Sequence, residues 1–423
     1  MSAEDSPDAP EPLPESTSDA ILAALCDLHH PVKVEMAEWA AAKLVDPSLP
    51  ERDVACRFWP EGWELAAGRG VQGTMISPAH GGSGNDVVTA LLQFEGLGYG
   101  CADAGLVFAL STQVWTMQPL LAQFGSATQQ ERYLPGLADG SIKGAFCITE
   151  TDSGSDTFAM ATTFARTDGG TDGGSDGDGG GFVLNGHKAY VTMAPEADVF
   201  LVFATSDPKL GQWGVTTFIV DATLEGVTVG PNRPKMGLRT TPFADVTFDN
   251  VELGPESVLG SVGSGAAVFS TAMEAERAFV LSAQIGAMER QLDEAVAYTR
   301  TRRQFSQPIG DFQAVSHRLA DMKLRHDNAR LQLYRAAALF MLGRPSMEAA
   351  ALAKIQASEA AVASSVDALL THGARGYVSE FGVERDLRNV AGGIVYGGTS
   401  DIQRNIVARM LGQRRGGRDQ DRR

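Results

Sequence analysis

The hydrophobic period of the chain changes twice, and those two changes constrain the fold more than any other feature. Residues 20–140 place apolar side chains at helical spacing. From about Lys143 the chain consists of short runs of β-branched and aromatic residues separated by Gly, Asn, Asp and Pro, a pattern typical of antiparallel strands in a sandwich or barrel. From about Ser264 the helical spacing returns. The sequence therefore predicts an α+β protein with one β domain between two helical regions.

The 423 residues divide along these changes into five predicted segments. The first is rich in Pro and acidic residues and is predicted to be disordered, while long helices with short connections predict an antiparallel bundle for the fourth. That bundle is expected to begin with one long helix over 266–303, ended by Pro308. The segments are a tail at 1–17, an N-terminal α-helical domain at 18–142, a middle antiparallel β domain at 143–262, a C-terminal four-helix bundle at 263–412 and a basic tail at 413–423.

Charge and cysteine usage exclude several classes of protein. A net charge of −17 opposes a nucleic-acid-binding surface, which needs clustered positive charge. The four cysteines are scattered without a CxxC pair, so we expect reduced thiols, a cytoplasmic protein and no metal site. The sequence has no run of about 18 apolar residues that would span a bilayer. It also lacks a P-loop and a G-x-G-x-x-G after a strand.

A glycine-rich turn at Gly397, Gly398 and Thr399 follows a strand-like apolar piece and opens the last predicted helix. Thr399 or Ser400 can cap that helix, and the glycines allow a ligand to approach backbone N–H groups closely. Such N–H groups at a helix start favour negative charge, including charge that develops on a carbonyl oxygen. From these residues alone, an ordinary turn before a helix remains the simpler explanation.

Other stretches carry residues suited to a ligand. In residues 145–156, a strand runs into a Gly/Ser turn and places hydroxyl groups beside an apolar surface, which suits a flat ring with polar edges as well as a structural turn. Asn185-Gly186 predicts a hairpin turn, and the Asp- and Gly-rich run at 168–181 predicts a solvated hairpin loop. Arginines at 300–303 either balance a helix C-terminus or form a fork for a diphosphate.

Residues 394–404, Ile-Val-Tyr-Gly-Gly-Thr-Ser-Asp-Ile-Gln-Arg, resemble the C-terminal signature of the acyl-CoA dehydrogenase family. Four more stretches resemble motifs of that family in the same order, and the resemblance covers roughly residues 65–412. It implies the family's fold, FAD as the cofactor, and removal of an α-proton from an acyl thioester with transfer of a β-hydride to the flavin. The four stretches are 145–156, 184–192, 298–313 and 372–377.

The resemblance assigns FAD contacts residue by residue. It implies that the adenine half is bound by a neighbouring subunit, so a homodimer or homotetramer is expected. Departures from the family pattern are Tyr190 for a frequent Trp, Ser306 and Ala374 for Gly, and Leu370 for Gln. The residues expected at the flavin are Phe146, Ile148, Thr149, Gly154, Ser155, Tyr190 and Thr192. Those expected at the rest of the cofactor are Arg302, Phe305, Gln313, Gly373, Gly376, Thr399 and Asp401.

One departure concerns the catalytic base, because many members carry a Glu where this chain has Gly397. Gly397 cannot accept a proton, but its backbone N–H can still hold the thioester oxygen. Some members use a Glu directly before an Arg on the first bundle helix, and Glu276-Arg277 matches that pair. Helical geometry places Glu276 about 60° from Met273, at the edge of the buried arc. A catalytic base and a structural Glu–Arg pair both fit that position, and the match to the family favours the base.

Within the family, the chain most resembles dehydrogenases of acyl or aminoacyl groups tethered to carrier proteins, such as prolyl-carrier-protein oxidases, which also lack a Glu at the match to Gly397. Residues 100–108, 286–292 and 301–318 carry this likeness. It implies dehydrogenation of a carrier-bound thioester in secondary metabolism. The alternatives are a dehydrogenase of branched or short-chain acyl-CoA and, disfavoured by Glu276, an inactive flavin-binding homologue. The electron acceptor, an electron-transfer flavoprotein or oxygen, stays open.

Overall fold

The computed structural model of the protein describes Ala24, residues 27–167 and residues 180–413. The predicted tail at 1–17, nearly all of the predicted basic tail and most of the Asp- and Gly-rich loop lie outside the described residues. None of the helices within the described ranges is both long and apolar enough to cross a lipid bilayer. The predicted order of a helical region, a β region and a second helical region is confirmed.

The N-terminal region consists of helices that begin at local capping residues. Asp86, Asp103 and Ser126 each accept a hydrogen bond from a backbone N–H in the first turn of the helix that follows. Within the pattern predicted over 20–44, a helix begins at Pro31, because proline lacks an N–H and fits the first turn. The helices are α1 (Pro31–Lys43), α2 (Leu49–Ala55), α3 (Pro60–Gly68), α4 (Val87–Gly100), α5 (Ala104–Thr112), α6 (Gln118–Phe124) and α7 (Ala127–Asp139).

The middle region is an eight-stranded sheet. The strands are β1 (Gly144–Cys147), β2 (Thr163–Arg166), β3 (Phe182–Thr192), β4 (Val199–Thr205), β5 (Val215–Asp221), β6 (Val227–Val229), β7 (Phe243–Leu253) and β8 (Val258–Leu259). Their order is β6-β7-β3-β2-β4-β5-β8, with β1 also paired to β4. Most pairs are antiparallel as predicted, but β1 and β2 run parallel to β4. All seven residues of β4 are buried, as in a central strand covered on both faces.

The prediction of a hairpin turn at Asn185-Gly186 is wrong. Both residues lie inside β3, where the register to β7 shifts between Leu184 and Gly186. A Cβ on Gly186 would come within 2.4 Å of the Thr162 hydroxyl oxygen. The glycine therefore permits a close approach of a neighbouring segment at a bulge, and the chain continues as a strand.

The C-terminal region is a helical bundle whose first helix is interrupted. The single helix expected over 266–303 is two helices, because the chain leaves helical geometry at Leu281 (ψ 2°). Ser282 Oγ donates to the Phe279 carbonyl at 2.7 Å across this break. The helices are α8 (Gly265–Phe279), α9 (Ser282–Thr301), α10 (Gln313–Met341), α11 (Met347–His372), α12 (Ala374–Tyr377), α13 (Val383–Ala391) and α14 (Ser400–Met410). A short hairpin, β9 (Arg303–Gln304) and β10 (Gln307–Pro308), joins α9 to α10.

Glycines let α4 and α9 cross closely and join the first and last regions. A Cβ on Gly98 would lie 1.7 Å from the Ala283 carbonyl oxygen, and one on Gly286 would lie 1.8 Å from the Glu95 carbonyl oxygen. Buried Glu95 also accepts a 3.0 Å hydrogen bond from Arg330 of α10. This packing fixes α9, and with it the break after α8, against the N-terminal helices.

We expect Gly286→Ala to destabilise the protein by about 1–3 kcal/mol, because an added methyl group in a tight contact forces the helices apart. Gly68→Ala is the matched control, since a Cβ there meets no atom within 4 Å, and it should change stability by less than about 0.5 kcal/mol. Thermal denaturation of the purified proteins measures both. Equal melting temperatures for the two variants would contradict the packing argument.

Candidate active site

The structure brings Glu276 of α8 and Gly397, in the turn before α14, to the same point. A Cβ on Gly397 would lie 3.6 Å from Glu276 Oε1. Gly397 has a φ of +62°, in the left-handed region that favours glycine. The two positions at which the resemblance implies a catalytic carboxylate therefore converge in space, and in this chain only the one on α8 carries it.

The Glu276 carboxylate makes no hydrogen bond and no ion pair within the described part of the chain. The neighbouring Arg277 forms no ion pair with it, and Arg277 Nε has no hydrogen-bond partner among the described residues. Burial raises the pKa of Glu276 to about 7, against the opposing charges of Arg277 and Lys354. A carboxylate that is unpaired and titrates near neutral pH is suited to accept a proton.

The turn before α14 presents unused backbone donors. Gln403 is fully buried, and its Nε2 donates to the carbonyl oxygens of Gly397 and Gly398 at 3.0 Å each. Because a trans peptide directs its N–H opposite to its C=O, the N–H groups of Gly398 and Thr399 point away from Gln403. Neither these two groups nor the Gly397 N–H donates to a described residue. Thr399 caps α14 by accepting from Ile402 N at 3.3 Å, and Asp401 is exposed in its first turn.

A cavity lies next to Tyr396, the residue before Gly397. The Tyr396 ring packs on Phe108 with centroids 4.7 Å apart. Both rings line this cavity of about 50 Å³, together with Val280, just before α9, and Gln284 of α9. Burial and the charge of Glu276 raise the pKa of Tyr396 well above its ordinary value. Tyr396 is therefore a neutral wall of the cavity next to the carboxylate.

The segment expected to face the flavin ring is held by a buried ion pair. Lys188 of β3 is fully buried and donates to Glu150 Oε1 at 2.8 Å and to the Ile148 carbonyl at 3.1 Å. Glu150 also accepts from the N–H groups of Ala161 and Thr162 at 2.6 and 2.9 Å. Burial alone would raise the pKa of Glu150, but Lys188 and these donors hold it below its usual value.

Three of the residues expected at the flavin lie close to this ion pair in the chain. Phe146 is on β1, and Ile148 and Thr149 follow it directly. Phe146 contacts Phe203 edge to face at 5.1 Å, Ile148 is buried, and the Thr149 carbonyl accepts from Ala189 N at 2.8 Å. Gly154 and Ser155 are exposed in the next turn, and a Cβ on Gly154 would meet no atom within 4 Å.

Tyr190 of β3 is held in an unusual backbone conformation. Its φ is +61°, at a second bulge of β3, and Asp245 accepts from its backbone N–H at 3.1 Å. The ring stacks on Phe243 at 6.1 Å and lies under Arg233 at 5.4 Å, yet 46% of the residue stays exposed. Non-glycine residues at positive φ are uncommon and concentrate at functional sites. Thr192 ends β3, paired with Phe243.

The residues expected at the adenine and diphosphate lie at one end of the bundle and are largely exposed. Arg302 follows α9, and Phe305 occupies the β9–β10 turn with 89% of its surface exposed. The turn residues Phe305 and Ser306 have φ values of +50° and +69°, which explains why a glycine suits position 306. Gln313 begins α10 and is exposed.

Gly373 lies close to that end, because His372 stacks on Tyr298 of α9 with centroids 4.4 Å apart. Gly373 ends α11 at a φ of +61°. Gly376 is buried, and a Cβ there would lie 2.5 Å from the Leu369 carbonyl oxygen. No hydrogen bond, ion pair or ring contact among the described residues joins these positions to Tyr190.

Sequence reasoning missed three residues that shape the site: Glu150, Lys188 and Gln403. Glu150 and Lys188 are charged residues next to apolar strand residues, and a buried charge needs a partner. The sequence therefore indicated that each needs a partner, but not that they pair with each other. Gln403 is a polar residue on a predicted helix, a pattern that indicates a solvent-exposed side chain. The sequence does not show that the 397–399 turn packs against it.

The accessible groups fit FAD. Three adjacent backbone N–H groups that donate to no described residue suit an anionic or carbonyl oxygen. The half-exposed Tyr190 ring and the open space at Gly154 suit a flat ring system. The arginines at 300–303 and the exposed Phe305 suit a diphosphate and a purine. Among the described residues, no group of three His, Cys, Asp or Glu side chains is arranged to hold a metal ion.

Comparison with known proteins gives the family. Residues 29–141, 145–251 and 263–412 match the N-terminal, middle and C-terminal domains of acyl-CoA dehydrogenases. The L-prolyl-[peptidyl-carrier protein] dehydrogenase of Pseudomonas fluorescens is 38% identical over 84% of this chain and 90% of its own. The prolyl acyl carrier protein oxidase AnaB has a TM-score of 0.85 at 37% identity, over 90% of this chain and 98% of its own. The structure of PigA with FAD and proline has a TM-score of 0.83 at 32% identity, over 96% and 99%.

The chain therefore belongs to the acyl-CoA dehydrogenase family. It is an FAD-dependent enzyme that dehydrogenates acyl thioesters. The fold and family that the sequence motifs implied are confirmed.

We expect Lys188→Met to destabilise the protein by about 3–5 kcal/mol, because it leaves the Glu150 charge buried without its partner. Adding Glu150→Gln should recover part of this loss. Arg132→Met, which breaks the exposed pair with Asp221, is the control and should cost at most about 1 kcal/mol. Urea denaturation measures all three variants, and a similar cost for Lys188→Met and Arg132→Met would refute the buried-pair argument.

Proposed function

We propose that this enzyme dehydrogenates the α,β bond of an acyl or aminoacyl thioester on a carrier protein, with Glu276 as the base. The observation that carries the proposal is the position of Glu276 Oε1, 3.6 Å from where a Gly397 Cβ would stand. This carboxylate, which has no partner among the described residues, lies next to the 397–399 turn, whose N–H groups donate to no described residue. One group can accept a proton while the others hold the oxygen of the same thioester.

In this mechanism Glu276, in its ionised form, accepts the α-proton of the thioester. The electron pair of the broken Cα–H bond is shared with the thioester carbonyl, whose oxygen gains charge and accepts from the Gly397 N–H, and this pair forms the Cα=Cβ bond as the β-hydride leaves. FAD, when bound, supplies the acceptor for the β-hydride. The Tyr396 and Phe108 rings pack on each other near the carboxylate, and an environment poor in water strengthens both electrostatic interactions.

Two features support a small acyl group on a carrier protein, the relatives of the chain and the glycine at position 397. The relatives described above are named for prolyl groups on carrier proteins, and a five-membered ring is compatible with glycine at position 397. A short or branched acyl-CoA is the second candidate, because the same site would accept it and only the thioester carrier differs.

We further propose that two or four copies assemble, with FAD shared between neighbours. Support comes from Phe305 and Tyr377, which are 89% and 78% exposed at the bundle end that carries Arg302. Cys56, Cys101 and Cys147 are free thiols, which supports a cytoplasmic location, and we place the enzyme in secondary metabolism. An electron-transfer flavoprotein or oxygen would reoxidise the flavin.

We expect Glu276→Gln to lower the rate of flavin reduction by substrate at least about 100-fold, the range for a lost general base, while FAD stays bound. Glu274→Gln is the matched control on the same helix. The Glu274 carboxylate accepts from Ser346 and lies outside the site, so its variant should reduce flavin within about threefold of the wild type, as expected for a group that does not contact the reacting atoms. Anaerobic stopped-flow absorbance measures both, and near-normal reduction in Glu276→Gln would reject this base.

The substrate class can be read from anaerobic bleaching of the flavin absorbance. The same acyl groups, prolyl included, are offered on a phosphopantetheinyl carrier protein and on CoA. We expect bleaching by a carrier-bound group and little by its CoA thioester, because a docked protein domain adds binding energy that CoA cannot supply. Bleaching by acyl-CoA alone would establish the second candidate instead.

A further inference from the structure

A buried lysine with no partner lies in the bundle close to the proposed base. Lys354 of α11 is 1% exposed, and its Nζ makes no hydrogen bond to any described residue. An ammonium group is almost never fully buried without a compensating charge. The position of this charge therefore requires an explanation that the fold alone does not give.

The part of α11 that carries Lys354 packs against elements of the candidate active site. Its helix α11 contacts both α8, which carries Glu276, and α14, which follows the Gly397 turn. One turn after Lys354, the Ala357 carbonyl accepts from Gln284 Nε2 at 3.4 Å. A Cβ on Gly393 would lie 3.4 Å from Ser358 Cβ. This part of α11 thus supports the α8–α9 break and the segment that leads to Gly397.

Of the described charged groups near Lys354, Glu276 is the one that can compensate its charge, although the two form no direct ion pair. The charges of Glu276, Glu359 and Arg277 act on the pKa of Lys354. Glu359 is half-exposed and is already paired with Arg404 at 2.7 Å. Arg277 carries a positive charge, as Lys354 does, and so cannot neutralise it. The charges that act on the pKa of Glu276 are Arg277, on its own helix, and Lys354, on α11. The charge of Glu276 in turn raises the pKa of Tyr396.

We propose that Lys354 is a positioning residue for the dehydrogenation, whose buried charge keeps Glu276 in the ionised form that accepts the α-proton. This inference rests on the proposed role of Glu276 as the base. Burial lowers the pKa of Lys354 only to about 8, so Lys354 is still a cation where Glu276 titrates, near pH 7. Two opposite charges in a poorly solvated site favour each other's charged form.

The sign of the effect follows directly. The charge of Lys354 lowers the pKa of Glu276, so its removal raises that pKa and leaves more of the carboxylate protonated at a given pH. In Lys354→Met, the acid limb of the pH–rate profile for flavin reduction should move up by about one pH unit or more, the size of effect that a nearby opposite charge has. At pH 6 the rate should fall about tenfold relative to the wild type, and above pH 9 the two rates should converge.

Lys354→Arg keeps the charge and should keep the wild-type profile. Glu359→Gln is the control for a charge change on the same helix, and its acid limb should stay in place, because Arg404 already pairs Glu359 at the surface. A Lys354→Met profile that superimposes on the wild type, with FAD bound, would overturn the proposal and leave Lys354 a structural residue.

A second measurement covers a variant that fails to fold. If Lys354 and Glu276 compensate each other, Lys354→Met should lower the melting temperature less in a Glu276→Gln background than in the wild type. Should Lys354→Met alone not retain FAD, recovery of folded, FAD-bound protein in the double variant supports the pairing, and failure to recover contradicts it. Full flavin reduction in Glu276→Gln would reject the base itself, whereas an inactive Glu276→Gln with an unchanged Lys354→Met profile rejects only the role of Lys354.

Discussion

The close approach of helix α8 to the Gly397 turn is the contact on which the active site depends. It places the Glu276 carboxylate 3.6 Å from where a side chain at 397 would begin, so the absence of a side chain there leaves room for both the carboxylate and a substrate. Gln403 fixes the orientation of the peptide groups in the turn, because it donates to both glycine carbonyls, and the N–H groups of Gly398 and Thr399 therefore point away from it. The turn and α8 together thus set the positions of the proposed base and of the proposed donors to the thioester oxygen.

The protein uses buried charge in two ways that the same physics explains. In the β domain, Glu150 and Lys188 pair at 2.8 Å, and each compensates the cost of burying the other. In the bundle, the Glu276 carboxylate has no direct partner among the described residues, and its pKa rises to about 7. The paired carboxylate holds the segment after β1 in place, and the one without a described partner stays available for a proton. Hydrogen bonding to the charged form thus separates a structural carboxylate from a chemically useful one.

Sequence reasoning reached the layers of the fold because hydrophobic period reports burial on one face of each element. It failed where a local pattern has a tertiary cause. Asn185-Gly186 has the composition of a turn, but Gly186 serves the close approach of Thr162 inside a strand. The break at Leu281 carries no proline or glycine, so the spacing of apolar residues runs through it. The strand-like piece before Gly397 is not a strand but a 3₁₀ turn at Gly392–Ile394 and the irregular residues that follow it. Helix α13 was not predicted, because four of its nine residues are charged.

By itself, the sequence determined the order of helical and β regions, the family through several motifs in a fixed order, and the candidate pair Glu276 and Gly397, because these depend on residue identity and spacing along the chain. Only the tertiary structure decided that the pair converges. It also decided that, within the described ranges, Arg277 forms no ion pair with Glu276 and the buried Lys354 has no hydrogen-bond partner. The physical reason is that a carboxylate's pKa and availability depend on the distance and burial of charges from other elements. Those distances arise from helix packing, and no local pattern in the sequence encodes them.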